Sequence, residues 1–280
     1  RDFVIWPEVL GDGKPDSIDD LWHAAVNGRG KLLNAANPQE MVDTLRTHLQ
    51  RISKRHRGSA ASVAINADPF YAQASDQIRI FQSTYSNYNE EWTGDVKAYG
   101  IDAHTGEVIV DNPEWSAAEV LKNKDPKQRN ILSHNGENAG IFFVETQLTD
   151  NQKKALHPDL LHRTKLIAYL RGQEIDGFRA RSQKLGDIVH SAPVFHRDII
   201  YVGANDAMLH AFNAGVVAAG ADFGPGEEIF AYIPNLVFGN LKRLADTDYT
   251  HKYFVDLTPV VKEGRGLFGG EEIKAILVGG

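Results

Sequence analysis

The chain has 280 residues, a formal net charge of −7, 42% hydrophobic and 24% charged residues, and no cysteine. This is the composition of a globular, core-forming chain. It excludes disulfides, thiolate catalysis and cysteine zinc sites, and its acidic balance speaks against a nucleic-acid partner or an anionic membrane surface. No apolar run approaches the roughly 20 residues of a membrane span. The chain starts at Arg1 and ends at Gly280 just after a strand-like run, so both ends are expected to be cut from a longer protein.

The first segment is helical in pattern. Asp16–Ala25 places acids ahead of Leu21, Trp22 and Ala25, the order that suits a helix N-terminus. Asn37 and Pro38 then open a second helix to about Lys54, with Met41, Val42, Leu45, Leu49 and Ile52 on one stripe. The basic cluster Arg46–Arg57 reads as a solvated helix face. Asp12-Gly13-Lys14-Pro15-Asp16 is a weak metal candidate through Asp12 and Asp16. A calcium loop wants oxygen ligands at positions 1, 3 and 5 and a Glu at 12; here Lys14 and His23 stand at two of those positions, which favours an acidic turn and helix cap. Residues 1–58 are expected to form a helical lead-in packed on the domain formed by 59–280.

From Ser59 the texture changes to strands. Ala61–Ile65, Gln77–Tyr85 and Asp95–Ile101 read as strands, and Asp102–Gly106 as a turn into a further strand, Glu107–Val110. Tyr85–Trp92 is a polar loop rich in Tyr, Asn and Ser, a composition used in adaptable binding loops. Tyr85, Tyr88 and Trp92 are therefore the candidate binding surface, against the plainer reading that the rings fold back on the platform. Ala117–Leu121 is a short helix, Arg129–Ser133 a strand, and Leu148–Leu156 a helix with Thr149 as N-cap and Gln152 at the capping-box position. His162–Leu170 fits either strand or helix. Ile199–Val202, the turn Gly203–Asp206 and Met208–Phe212 make strand, turn, strand.

That last order, with a further strand in Glu227–Pro234, is the grammar of a β-propeller blade. Lys97–Val110, Ile199–Asn213 and Glu227–Pro234 share its pattern, the first two about twice the roughly 40–50 residues of a propeller repeat apart. The expected fold is mainly β: a modified, partial β-propeller over 59–280, incomplete at its C-terminus, with helical insertions and the short helical lead-in. A decorated β-sandwich fits the same segments.

Chemistry-bearing residues are few in pattern. His190, His196 and His210 form the closest histidine set, without metal-ligand spacing, although His190 and His210 could meet in space. Asp102, Asp187, Asn205 and Asp206 sit at turns, where such side chains bond to local backbone. No phosphate loop, nucleophile elbow or dinucleotide fingerprint is present, and no catalytic residue is assigned.

Six stretches in order, IDDLWHAAVNGRG (18–30), VKAYGIDAHTGEV (96–108), YLRG (169–172), LGDIVHSAPV (185–194), YVGANDAMLHAFNA (201–214) and EIFAYIPNLVFGNLKRLADTDYTHKYFVD (228–256), resemble the C-terminal propeller domain of PilY-type (PilC/PilY family) type IV pilus tip adhesins. The resemblance implies a non-enzymatic, exported protein of the cell surface and pilus tip, passing through the periplasm. It would act in pilus assembly, adhesion, twitching motility and control of retraction. Its implied partners are minor pilins or other tip components and host or abiotic surface ligands. It implies no cofactor within this segment. A family calcium loop is expected beyond Gly280, and a von Willebrand-type A domain before Arg1. Ala207 stands where the family usually has Gly, so Ala is costly if that turn needs positive φ and the turn type could differ. Leu257 stands where Gly usually follows KYFVD, which bears on the loop near Thr258-Pro259. The alternative reading is a periplasmic quinone-dependent propeller dehydrogenase, which would need calcium and a carboxylate, amide and basic set around its cofactor.

Overall fold

The computed structural model describes residues 59–65, 79–88, 91–101, 108–215, 222–262 and 276–279. The chain divides into two units, Arg1–His56 and Arg57–Gly280, and all of these residues belong to the second. The expectations for the N-terminal helices, the basic cluster, Asp12 and Asp16 lie outside the described residues.

The first sheet is a four-stranded antiparallel meander in chain order: β1 (Ser59–Ile65), β2 (Arg79–Ser86), β3 (Thr93–Gly100) and β4 (Trp115–Ser116). The period-2 pattern of β2 and β3 produces it. Phe81 faces Ala98 and Ser83 faces Val96 across the ladder, and all four are buried. The expected strand at Glu107–Val110 is not formed in its described part. Val108 makes one isolated bridge to Ile101, and β4 pairs instead with Lys97 and Ala98. In that register Trp115 stands opposite Ala98, and its indole packs in the core with Phe81 and Leu121. Strand β4 leads straight into helix α1 (Ala117–Asn123), whose N-cap Ser116 accepts the Glu119 N–H at 3.2 Å.

The second sheet has six strands. These are β5 (Ile131–His134), β6 (Gly140–Phe142), β7 (Val194–His196), β8 (Ile199–Ala204), β9 (Met208–Asn213) and β10 (Glu228–Ile233), in the spatial order β6-β5-β10-β9-β8-β7. Strands β7 to β10 are a second antiparallel meander in chain order, while β5 joins β10 in parallel. A two-stranded antiparallel ladder joins β11 (Val260–Lys262) to β12 (Ile276–Val278). The fold is mainly β and its sheets are open; among the described residues none closes into a barrel.

Helices α2 (Asp150–Leu156) and α3 (Leu160–Leu170) lie between the two meanders in sequence. The capping box forms as expected: Thr149 Oγ1 accepts the Gln152 N–H at 3.3 Å and Gln152 Oε1 accepts the Thr149 N–H at 3.0 Å. The open choice over His162–Leu170 resolves to helix because Asp159 caps it, accepting the His162 N–H at 2.8 Å.

Register puts two apolar cores on one face of the six-stranded sheet. Ile200, Val202 and Ala204 lie opposite Phe212, His210 and Met208, and Ala231 lies opposite His210 and Ile131. At the β8 end, Ile200, Val202 and Ala204 pack with Phe81, Val96, Trp115 and Leu121 of the first sheet and α1. At the β10–β5 end, Ala231, Ile233 and Ile131 pack with Leu156, Leu166, Tyr169 and Leu241. His210 lies between these two groups on the sheet.

Backbone contact joins the pieces. A Cβ on Gly94 would lie 2.1 Å from the Gly186 carbonyl oxygen, and one on Gly186 would lie 2.4 Å from the Asp206 nitrogen. Strand β3, the segment before β7 and the β8–β9 turn thus touch main chain to main chain, where no side chain can yield. Gly94→Ala is expected to lower the unfolding free energy by about 1–3 kcal/mol. Gly239→Ala, whose Cβ would meet nothing within 4 Å, should shift it by less than about 0.5 kcal/mol. Urea unfolding of both variants checks this, and equal midpoints would refute the close approach.

Candidate functional site

The β8–β9 turn is built from Asn205, Asp206 and Ala207. Ala207 adopts φ +74, so this turn does use the left-handed conformation that favours glycine. Its methyl is fully buried in the core around Tyr169 and Met208, which offsets the backbone cost. Asp206 Oδ2 accepts the Gly186 N–H at 3.0 Å and Oδ1 the Met208 N–H at 3.2 Å. Asn205 donates to Asp187 Oδ2 at 2.7 Å and accepts the Phe254 N–H at 3.0 Å. His251 Nε2 lies 2.8 Å from the same Asp187 oxygen.

Beneath the turn runs a buried charged seam. Arg129 grips Glu228 with two bonds, Nε to Oε2 at 2.8 Å and Nη2 to Oε1 at 2.7 Å, and gives Nη1 to the Arg171 carbonyl at 2.9 Å. His210 Nδ1 lies 2.9 Å from Glu228 Oε1, and Nε2 lies 3.1 Å from Asp206 Oδ2. Burial alone would depress the imidazole pKa, but Asp206 and then Glu228 outweigh it and raise it from 6.5 to about 9. Burial pushes the Glu228 carboxyl up, yet Arg129 and then His210 hold it well below the usual carboxylate range. Asp206 is lowered in the same way, burial being outweighed chiefly by His210. Two cations thus balance two anions. With both ring nitrogens taken by carboxylates, His210 has no lone pair for a metal or a substrate proton.

Above the seam opens a polar cleft of about 370 Å³, within the size range of small-molecule sites. Asn205, Asp206 and Asp187 form one wall, the segment from Arg179 to Gly186 a second, and Glu91, Trp92, Thr93, Thr247 and Tyr249 the rest. Four stretches that carry the sequence resemblance border this region: Tyr169 in YLRG, Asp187 in LGDIVHSAPV, Asn205-Asp206 in YVGANDAMLHAFNA, and Tyr249 in the last. Lys184 contributes only its stem, because its ammonium donates to the carbonyls of Leu121 and Lys122 at 3.1 and 2.9 Å and also to that of Lys124, capping α1.

The three aromatic candidates separate. Trp92 lines the cleft, with its ring 3.8 Å from His251 and 6.3 Å from Tyr85, so Tyr85 and Trp92 fold back in a stack. Tyr88 is exposed. His190 and His210 do not share partners: His190 pairs with Asp256, and His210 with Asp206 and Glu228. Leu257 is exposed, while its carbonyl accepts Ser191 Oγ at 3.1 Å and Thr258 Oγ1 accepts the Ala192 N–H at 2.8 Å. Among the described residues no group of three or more His, Asp or Glu is arranged to hold a metal ion, and no helix is long and apolar enough to cross a membrane. Sequence reasoning missed Arg129, Arg179, Arg181, Glu228 and His251. The alternation of Arg179 and Arg181 in a segment without helix or strand pattern was the one local signal available.

Fold and cleft together define a class: a β-sheet platform with helical insertions, whose small-molecule-sized cleft is walled by turns and connecting segments. The chain is 32% identical over 302 aligned residues, 92% of its length, to a type IV pilus biogenesis factor PilY1 of Pseudomonas aeruginosa (strain UCBPP-PA14), covering 25% of that protein. It is 28% identical to the PilY1 of strain PAO1 over 95% of its length, and 28% identical to a PilY1 homolog of Xylella fastidiosa over 89%, covering 20% of that protein. No family model matches, and no solved structure matches. The resemblance read from the sequence therefore holds: over about nine-tenths of its length the chain is homologous to PilY1-type pilus biogenesis factors. It spans about a quarter of the length of those relatives.

Proposed function

We propose that this chain is a non-enzymatic platform within a type IV pilus biogenesis factor, exported to the periplasm and cell surface. It engages minor pilins or other tip components during assembly and presents loops such as Tyr85–Trp92 to host or abiotic surfaces. The observation that carries this reading is the homology to proteins named as pilus biogenesis factors along nearly the whole chain. The propeller architecture is part of the same proposal: β1–β4 and β7–β10 are both four-stranded antiparallel meanders in chain order, the form of a propeller blade. Calcium binding belongs to the sequence beyond Gly280 in this reading.

The test is removal of the 280-residue segment from the full-length gene, followed by counting of surface pili and measurement of twitching zones. Loss of pili, restored by the intact gene, is expected. Repeating the deletion in a retraction-deficient strain separates the roles: recovered pili assign the segment to control of retraction, and persistent absence assigns it to assembly. Normal piliation and twitching in the deletion strain, with the truncated protein present, would overturn the proposal.

A further inference from the structure

Two cations in the cleft wall stand outside ion-pair distance of every described carboxylate, Asp206 being the acid whose charge acts on Arg181. Arg79, Arg129 and Arg163 each pair with a glutamate. Arg179 and Arg181 make no ion pair with any described residue. Arg179 lies over the Tyr249 ring at 3.8 Å, and its Nε reaches the Tyr169 hydroxyl at 3.5 Å. Arg181 lies over the Tyr169 ring at 4.2 Å and donates to the Tyr169 carbonyl. One tyrosine therefore gathers both guanidinium groups, each held over an aromatic ring.

Each acid lining the same cleft has hydrogen-bond partners other than these two arginines. Asp206 is held by His210 and two backbone N–H groups, Asp187 by Asn205 and His251, and Glu91 accepts the Ser182 N–H. Two like charges brought together at partial burial are costly unless an anion joins them. A planar guanidinium fork held by stacking is pre-organised for a carboxylate or phosphate.

We propose that this cleft binds an oxyanionic group, a carboxylate or a phosphate, with Arg179 and Arg181 as the residues that hold it. The proposal concerns the purified chain and is independent of the pilus reading. It is tested by isothermal titration of the 280-residue chain with inorganic phosphate and, separately, with malonate, at constant ionic strength set by sodium chloride. Saturable one-site binding is expected for at least one probe, with Kd on the order of 1 mM. Phosphate alone identifies a phosphorylated ligand, and malonate alone a carboxylated one. Arg179→Gln and Arg181→Gln should each weaken binding at least about tenfold, the loss of one charge-assisted contact, while the exposed Arg243→Gln leaves it unchanged. Arg181 also holds a backbone carbonyl, so Arg179→Gln decides the matter if Arg181→Gln does not fold. Absence of saturable binding of both probes up to about 50 mM, or wild-type affinity in folded Arg179→Gln, would overturn the proposal.

Discussion

Replacing Arg129 with alanine is expected to lower the unfolding free energy by about 3–5 kcal/mol, the range for removing one partner of a buried ion pair. The Arg129 and Glu228 side chains are 1% and 0% exposed, so the lost guanidinium leaves the Glu228 charge buried. The substitution strips Glu228 of two charge-assisted bonds and leaves it with His210 as its remaining cation. It also frees the Arg171 carbonyl at the end of α3, loosening the helix layer from the sheet. Arg129→Met with Glu228→Gln should cost at least about 2 kcal/mol less than the sum of the two single changes, because each single change strands a charge and the double does not. The more exposed Lys153–Glu145 pair, at 3.9 Å, is the comparison; Lys153→Ala, which leaves Glu145 with Arg163, should cost less than about 1 kcal/mol. Urea unfolding supplies every value. A loss below about 1 kcal/mol for Arg129→Ala would show that the seam carries no net stability.

Legibility followed the range of the interactions. Thr149 and Gln152 were readable because a capping box closes within one turn, and β2, β3, β8 and β9 because a period of two is local. The helix at Leu160–Leu170 was undecided because its decisive residue, Asp159, lies ahead of the apolar run. Asp206 and Asn205 fit turn positions, and Asp206 does bond locally, to the Met208 N–H, whereas Asn205 reaches the Phe254 N–H 49 residues away. Their second role, anchoring His210 and Asp187, depends on partners 4 and 18 residues away. Arg129 and Glu228 are 99 residues apart, and no pattern around either announces a buried partner. The Tyr85–Trp92 stack closes on His251, which also bonds to Asp187 and packs edge-on to Tyr249 and Tyr253. The cleft is therefore a product of topology, assembled from segments whose separate compositions suggest only loops.

The seam also fixes how stability should vary with pH. His210 is raised from 6.5 to about 9, so its contribution is fully present below pH 6.5 and is lost as pH climbs through about 9. That rise corresponds to about 3 kcal/mol. Glu228 and Asp206 are depressed below 4.5 and 3.8, so their contribution is present above those values and is lost on acidification below them. The seam therefore contributes most between about pH 4.5 and 6.5. His210→Gln isolates the alkaline limb, since every other titrating group is common to both proteins. The gap in unfolding free energy between wild type and His210→Gln should be greatest, about 3 kcal/mol, between about pH 4.5 and 6.5. It should narrow steadily between pH 7 and 10, as the wild-type imidazolium loses the proton that both Asp206 and Glu228 require. A gap that stays constant from pH 6 to 10 would mean that His210 is folded as the neutral ring, and that one of its two carboxylate contacts is held by a proton on the acid instead.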